Sequence, residues 1–115
     1  MIIGKRFYID AAHLLPNHQG KCKNLHGHTW IIDIEIEGPL DQHFGWVMDF
    51  KDFSEVVNSA IDHLDHQILN NFLPNPTCEN LVEYIKSKLG NYYLEMVRSI
   101  KIQEGKGGWA RYEKM

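Results

Sequence analysis

His26-Gly27-His28 sets two imidazoles two residues apart, and on a strand both project to the same face. Both can then reach one ion, and Gly27 leaves the opposite face uncrowded. Two ligands do not close a site. His13, at the end of the preceding strand-like run, is the natural third. Three neutral imidazoles with a fourth position open describe a catalytic zinc site, whereas a structural one is filled by four protein ligands. The plain alternative is a pair of surface histidines flanking a turn.

Other residues carry possible chemistry. Cys22 lies four residues before His26, between Lys21 and Lys23. Neighbouring cations raise the thiolate fraction that a nucleophile or general base needs. A small half-buried cysteine is the ordinary alternative. Asp65-His66 puts a carboxylate beside an imidazole, which can fix its tautomer and let His66 relay a proton to or from Cys22. The alternative there is a histidine near a helix C-terminus, a description that fits His63 better. Glu104 shares parity with Ile100 and Ile102, so a carboxylate ends an apolar face. It is either exposed or bound to a cationic or amide-like ligand group. Cys78 is expected to pack in a helix's first turn, and His18 and His43 fall in loops.

The elements that must position these groups follow from periodicity. Ile2 to His13 reads as a strand with Phe7, Ile9, Ala11 and His13 on one face. Leu14 to Lys23 reads as a loop. A second strand runs from Leu25 to Glu37, with His26, His28, Trp30, Ile32, Ile34 and Ile36 on one side, and ends at Gly38-Pro39. Phe53, Val56, Val57, Ala60, Ile61 and Leu64 recur at the spacing of one helix face, with Asp52 and Glu55 as a capping pair and Asp49 as a rival start. Asp65 to Asn75 reads as a loop. Thr77 is the expected N-cap of a second helix, whose stripe is Leu81, Ile85 and Leu89 and which ends at Gly90-Asn91. A third strand covers Met96 to Glu104. The turn Gly105-Lys106-Gly107-Gly108 joins it to a fourth strand, Trp109 to Glu113. The order is ββααββ: an α+β chain with a four-stranded antiparallel sheet and both helices on one face. Its open sheet edges favour strand-edge oligomerisation. No repeat, low-complexity segment or linker interrupts it.

Composition bounds the function. A chain of 115 residues, 43% of them hydrophobic and 23% charged, is expected to form one soluble domain over residues 1–115. A net charge of −3 disfavours a broad nucleic-acid surface. No apolar run suits a membrane span, no signal peptide is evident, and two cysteines do not make a disulfide framework; a cytoplasmic protein is expected.

The segments FYIDAAH, CKNLHGH, VMDF, LDH, NPTCEN and IQE, in this order from Phe7 to Tyr112, resemble the 6-pyruvoyl-tetrahydropterin synthase superfamily. The resemblance implies the tunnelling fold, in which sheets assemble as trimers around a barrel and two trimers stack as a hexamer. It implies a zinc ion held by His13, His26 and His28, and Cys22 as general base. Asp65 and His66 would complete a proton-relay triad across a subunit interface, with Glu104 anchoring a pterin ring. The CxxxHGH spacing resembles the 6-carboxy-tetrahydropterin synthase branch of the queuosine and archaeosine base pathway. That branch acts on 7,8-dihydroneopterin triphosphate, eliminates triphosphate and releases acetaldehyde. A 6-pyruvoyl-tetrahydropterin synthase is the near alternative. A non-catalytic pterin- or purine-binding protein of the same fold and a generic zinc hydrolase are the more distant ones. The branch that replaces the cysteine by glutamate and cleaves the side chain for folate synthesis is disfavoured by Cys22. Two positions depart from the family. Glu104 is followed by glycine where a hydroxyl residue is usual, and Cys78 stands where a small or hydroxyl residue is commoner.

Overall fold

The structure, a computed structural model, describes residues 1–115 apart from the side chains at 91 and 92. Four antiparallel strands, β1 (Ile2–His13), β2 (His26–Glu37), β3 (Val97–Glu104) and β4 (Trp109–Glu113), lie in the order β1-β2-β3-β4. Each neighbours the next in sequence. Three helices, α1 (Phe50–Ile61), α2 (Cys78–Lys88) and α3 (Gly90–Met96), fall between β2 and β3. The ββααββ order therefore holds, with α3 as an addition. Its seven residues are too few for a helical period to be legible.

Alternation sets the core face. On β1 the odd residues Phe7, Ile9, Ala11 and His13 are buried, and on β2 the even residues Trp30, Ile32, Ile34 and Ile36 are. Register aligns them, with Phe7 opposite Ile32 and Ile32 opposite Ile102. A bulge at Glu35/Ile36 shifts the pairing by one, which is why both Val97 and Ile100 of β3 turn inward despite opposite parity. Phe53, Val57, Ala60 and Ile61 of α1 and Leu81, Val82 and Ile85 of α2 pack on this face.

The helix ends explain their positions. Asp49 caps α1, accepting from the Lys51 amide at 2.9 Å, so the rival start is the cap and Asp52 lies in the first turn. Thr77 caps α2 as expected, accepting from the Asn80 amide at 3.1 Å. Gly90 follows α2 with φ of +76°, a left-handed conformation that glycine adopts without strain. The side chain of Asn91, paired with it in the expected stop signal, lies outside the described residues. The expected loop from Asp65 to Asn75 contains a tight helical turn at Leu69–Asn71.

The sheet's edges differ. The outer edge of β1 is covered near its C-terminal end, where the His66 amide donates to the Asp10 carbonyl (2.6 Å) and the Ala12 amide to the Gln67 carbonyl (3.0 Å). Among the described residues, nothing pairs with the earlier part of that edge or with the outer edge of β4. No helix is long and apolar enough to cross a membrane among the described residues.

Candidate functional site

Strand register assembles the histidines. His13 sits directly opposite His26, His28 opposite the small Ala11, and Trp30 opposite Glu104. All four polar side chains therefore reach the same end of the core face. Trp30, fully buried and held by its indole N–H to the Ala11 carbonyl (3.1 Å), forms the floor. The His13 and His28 rings meet it edge-on, with centroids 4.9 and 5.4 Å away.

Backbone carbonyls fix two of the rings. His13 donates from Nδ1 to the Pro76 carbonyl (2.8 Å), and His26 donates from Nδ1 to the Asn24 carbonyl (2.7 Å). A carbonyl only accepts, so both protons sit on Nδ1 and both Nε2 atoms present lone pairs. These two lone pairs face each other across 3.0 Å. Burial holds the His13 imidazole below its ordinary pKa, which keeps it neutral. Two opposed lone pairs in a buried site repel unless something electropositive lies between them.

His28 points to the same requirement. Its buried Nε2 makes no hydrogen bond, although Glu104 Oε1 is 2.8 Å away outside hydrogen-bonding geometry. Glu104 Oε1 also lies 3.8 Å from His13 Nε2. The four donor atoms of His13, His26, His28 and Glu104 fall within 4.8 Å of one another. Donors on a four-coordinate zinc, at about 2.0–2.1 Å bonds, stand about 3.3 Å apart, and the observed separations bracket that spacing. Imidazole nitrogen and carboxylate oxygen are both zinc donors, so the residues present fit a zinc ion.

Cys22 is half-buried in a tight turn, Lys21–Lys23, between β1 and β2. The turn closes through the Asn24 amide donating to the Lys21 carbonyl (3.0 Å), and Asn24 in turn orients His26. One short segment therefore carries the thiol and aims a ligand.

Asp65 and His66 lie elsewhere. Their strand partner is Asp10, whose side chain faces away from the core. The Asp10 amide donates to Asp65 Oδ1 (2.8 Å), and Asp65 Oδ2 is 3.1 Å from His66 Nδ1. The Asp10 amide, and after it His66, holds the Asp65 carboxyl below its usual range. His66 adopts φ of +60° and its side chain is 78% exposed. Among the described residues no hydrogen bond or ion pair joins Cys22 to Asp65 or His66. One chain thus brings His13, His26, His28 and Glu104 together.

Several contributors escape sequence reading. The Pro76 and Asn24 carbonyls belong to backbone that any residue type supplies. Asn70, legible only as a turn residue, clamps the residue after His13 by accepting from the Leu14 amide and donating to the Leu14 carbonyl, each at 2.9 Å. Cys78 packs under Glu104, with its thiol 3.9 Å from Oε2; burial first, and the Glu104 carboxylate second, push that thiol's pKa up to about 11.

A sheet of this topology with three histidines and a glutamate gathered at one end fits the tunnelling fold with a cluster that could hold a metal ion. The family model described as 6-pyruvoyl tetrahydropterin synthase matches residues 2–115, and the chain belongs to that family. A 6-carboxy-5,6,7,8-tetrahydropterin synthase of Synechocystis is 34% identical over 118 residues, spanning 96% of this chain and 92% of the relative. A dihydroneopterin monophosphate aldolase of Pyrococcus furiosus is 36% identical over 84 residues, 73% of this chain and 70% of its own. Among solved structures, the 6-pyruvoyl tetrahydropterin synthase of Caenorhabditis elegans superposes with a TM-score of 0.87 at 23% identity. It covers 100% of this chain and 96% of that one, a likeness of fold.

Proposed function

We propose that this chain is a zinc-dependent 6-carboxy-5,6,7,8-tetrahydropterin synthase. Its substrate is 7,8-dihydroneopterin triphosphate, from which it eliminates triphosphate and releases acetaldehyde, in the deazapurine base pathway. The observation that carries the reading is the convergence of His13, His26 and His28, with the facing Nε2 atoms of His13 and His26 3.0 Å apart and their opposite nitrogens tied to carbonyls. The CxxxHGH spacing and a relative named for this activity support the branch.

Bound zinc supplies a Lewis acid that makes the C–H and O–H protons of the substrate side chain easier to remove. The residues do the rest. Cys22 takes a proton from the side chain. His66 returns one, its Nδ1 side turned to Asp65, which leaves Nε2 for the transfer. Glu104 anchors the pterin ring by its guanidine-like edge. The family resemblance implies that Cys22 and the Asp65–His66 pair come from different copies, so on this reading the site closes between them. The open edges of β1 and β4 suit assembly into trimers and a stacked hexamer, with residues 1–115 acting as one cytoplasmic domain.

Product analysis by mass spectrometry after incubating zinc-loaded protein with 7,8-dihydroneopterin triphosphate tests this. Carboxy-tetrahydropterin with acetaldehyde is expected. Pyruvoyl-tetrahydropterin, a hydroxymethyl-pterin from aldolase-type cleavage, or unchanged substrate would each overturn the assignment.

A further inference from the structure

Glu104 occupies a position that its assigned role as a ring anchor does not explain. Its Oε1 lies 2.8 Å from His28 Nε2 and 3.8 Å from His13 Nε2, inside the cluster of donors. Its backbone is fixed. The Glu104 amide donates to the Gly108 carbonyl (2.9 Å), the Gly107 amide donates back to the Glu104 carbonyl (2.7 Å), and the Gly105 amide donates to the Thr29 carbonyl (2.9 Å). The side chain itself, 27% exposed, is held by contacts to His28 and the Cys78 thiol.

We propose that Glu104 is the fourth metal ligand in the substrate-free protein and exchanges that bond for the pterin ring when substrate arrives. The second half rests on the function proposed above; the first half does not. Three neutral imidazoles and one carboxylate complete a four-coordinate zinc shell, and this closed shell has no position for a substrate hydroxyl. A carboxylate aimed at the ion through Oε1 and one aimed at two adjacent N–H groups of a ring need different side-chain orientations, so ring binding and metal ligation compete at Glu104. Capture of the ring would then free a position on the ion for the substrate side chain.

Cys78 is the post on which this carboxylate turns. Its thiol faces Oε2 at 3.9 Å, on the side away from His28.

Cobalt(II) substitution tests the proposal, because its visible d–d bands report ligand number and type without turnover. Wild-type protein and Glu104→Gln are loaded with cobalt, and zinc affinity is measured by competition with a chelator. The expected result is a changed band pattern in Glu104→Gln and zinc binding weakened by roughly tenfold or more, since even outer-shell changes cost 10–100-fold. Identical bands and equal affinity in the two proteins would overturn the ligand assignment. Unsubstituted pterin, which has the ring edge but no side-chain hydroxyls to reach the ion, is then added to wild-type cobalt protein. Its bands should move toward those of Glu104→Gln, while the variant's bands stay still. Pterin bound without any band change would overturn the exchange. This second measurement needs no variant, so a folding defect in Glu104→Gln does not decide it. Neither spectrum depends on which product forms, so failure of the product assay leaves the ligand assignment standing or falling by itself.

Discussion

The histidine centre takes His13 from β1, and the Asp65–His66 pair is tied three residues away, to the main chain of Asp10 at the outer edge of the same strand. His13 turns into the core and is fully buried, with its ring fixed through Nδ1 by the Pro76 carbonyl. Asp10 turns outward, and the pair it holds is tied chiefly through main-chain bonds, with the His66 ring left largely in solvent. Metal coordination needs several atoms within a few tenths of an ångström, a demand that close-packed strands in register meet within one chain. Proton transfer needs a group free to meet a partner. The first region is assembled within one chain; on the reading above, the second is completed by a neighbouring copy carrying Cys22.

The two regions should fail differently. Cys22→Ala is expected to cut turnover by about 10²–10⁴-fold, the usual worth of a positioned base, while metal content by elemental analysis stays at the wild-type level. His26→Ala should instead lose the ion, with affinity falling by more than the roughly 100-fold that outer-shell changes reach. Metal loss in Cys22→Ala, or retention in His26→Ala, would merge the two regions.

A mixing experiment sharpens the division. Chains carrying Cys22→Ala and chains carrying His66→Asn, each inactive alone, are co-expressed. If the site takes Cys22 and His66 from different copies, random mixing restores about one quarter of sites. If both come from one chain, no site recovers.

The difference in legibility follows the same line. Strand alternation is strict, so the HxH pair and the parity of His13 were enough to place three imidazoles together, and register did the rest. Glu104 was legible as a carboxylate ending an apolar face but not as a neighbour of His28, because cross-strand neighbours depend on a register that the bulge at Glu35/Ile36 alters farther along the same strand pair. The roles of the Pro76 and Asn24 carbonyls had no signal, since main-chain groups carry no residue type. α3 was missed for its shortness, and the Asp49 cap was resolved only by its bond to Lys51.

Acid should separate the regions by a smaller amount. Burial depresses the His13 pKa from its ordinary 6.5, so above that pH the folded and unfolded chains both hold it neutral. As pH falls below 6.5 the unfolded chain takes up the proton first, and the metal-free fold loses stability until the depressed folded value is reached. The slope from this one group is at most about 1.4 kcal/mol per pH unit. Chemical denaturation of metal-free protein between pH 7 and 5 should show a flatter dependence in His13→Gln than in wild type. In metal-loaded protein the same protons compete for the ligand nitrogens, so zinc release should begin over this range. An equal slope in His13→Gln would show that the titration arises elsewhere.

The smallest expected effect addresses how far the centre depends on its helix. Pro76, whose carbonyl fixes His13, and Cys78, beneath Glu104, flank Thr77, the cap of α2. Thr77→Ala should cost about 1 kcal/mol of stability through the unpaired Asn80 amide. Fraying this end loosens the Pro76 carbonyl and the Cys78 post together, so zinc affinity should fall by a few-fold. The Asp65–His66 pair is held by β1 and not by α2, so the NMR signal of the His66 ring should not move. A cap mutation that shifted His66 as much as it weakened zinc would mean that the core face and the outer edge of β1 respond as one unit, coupled through the strand they share.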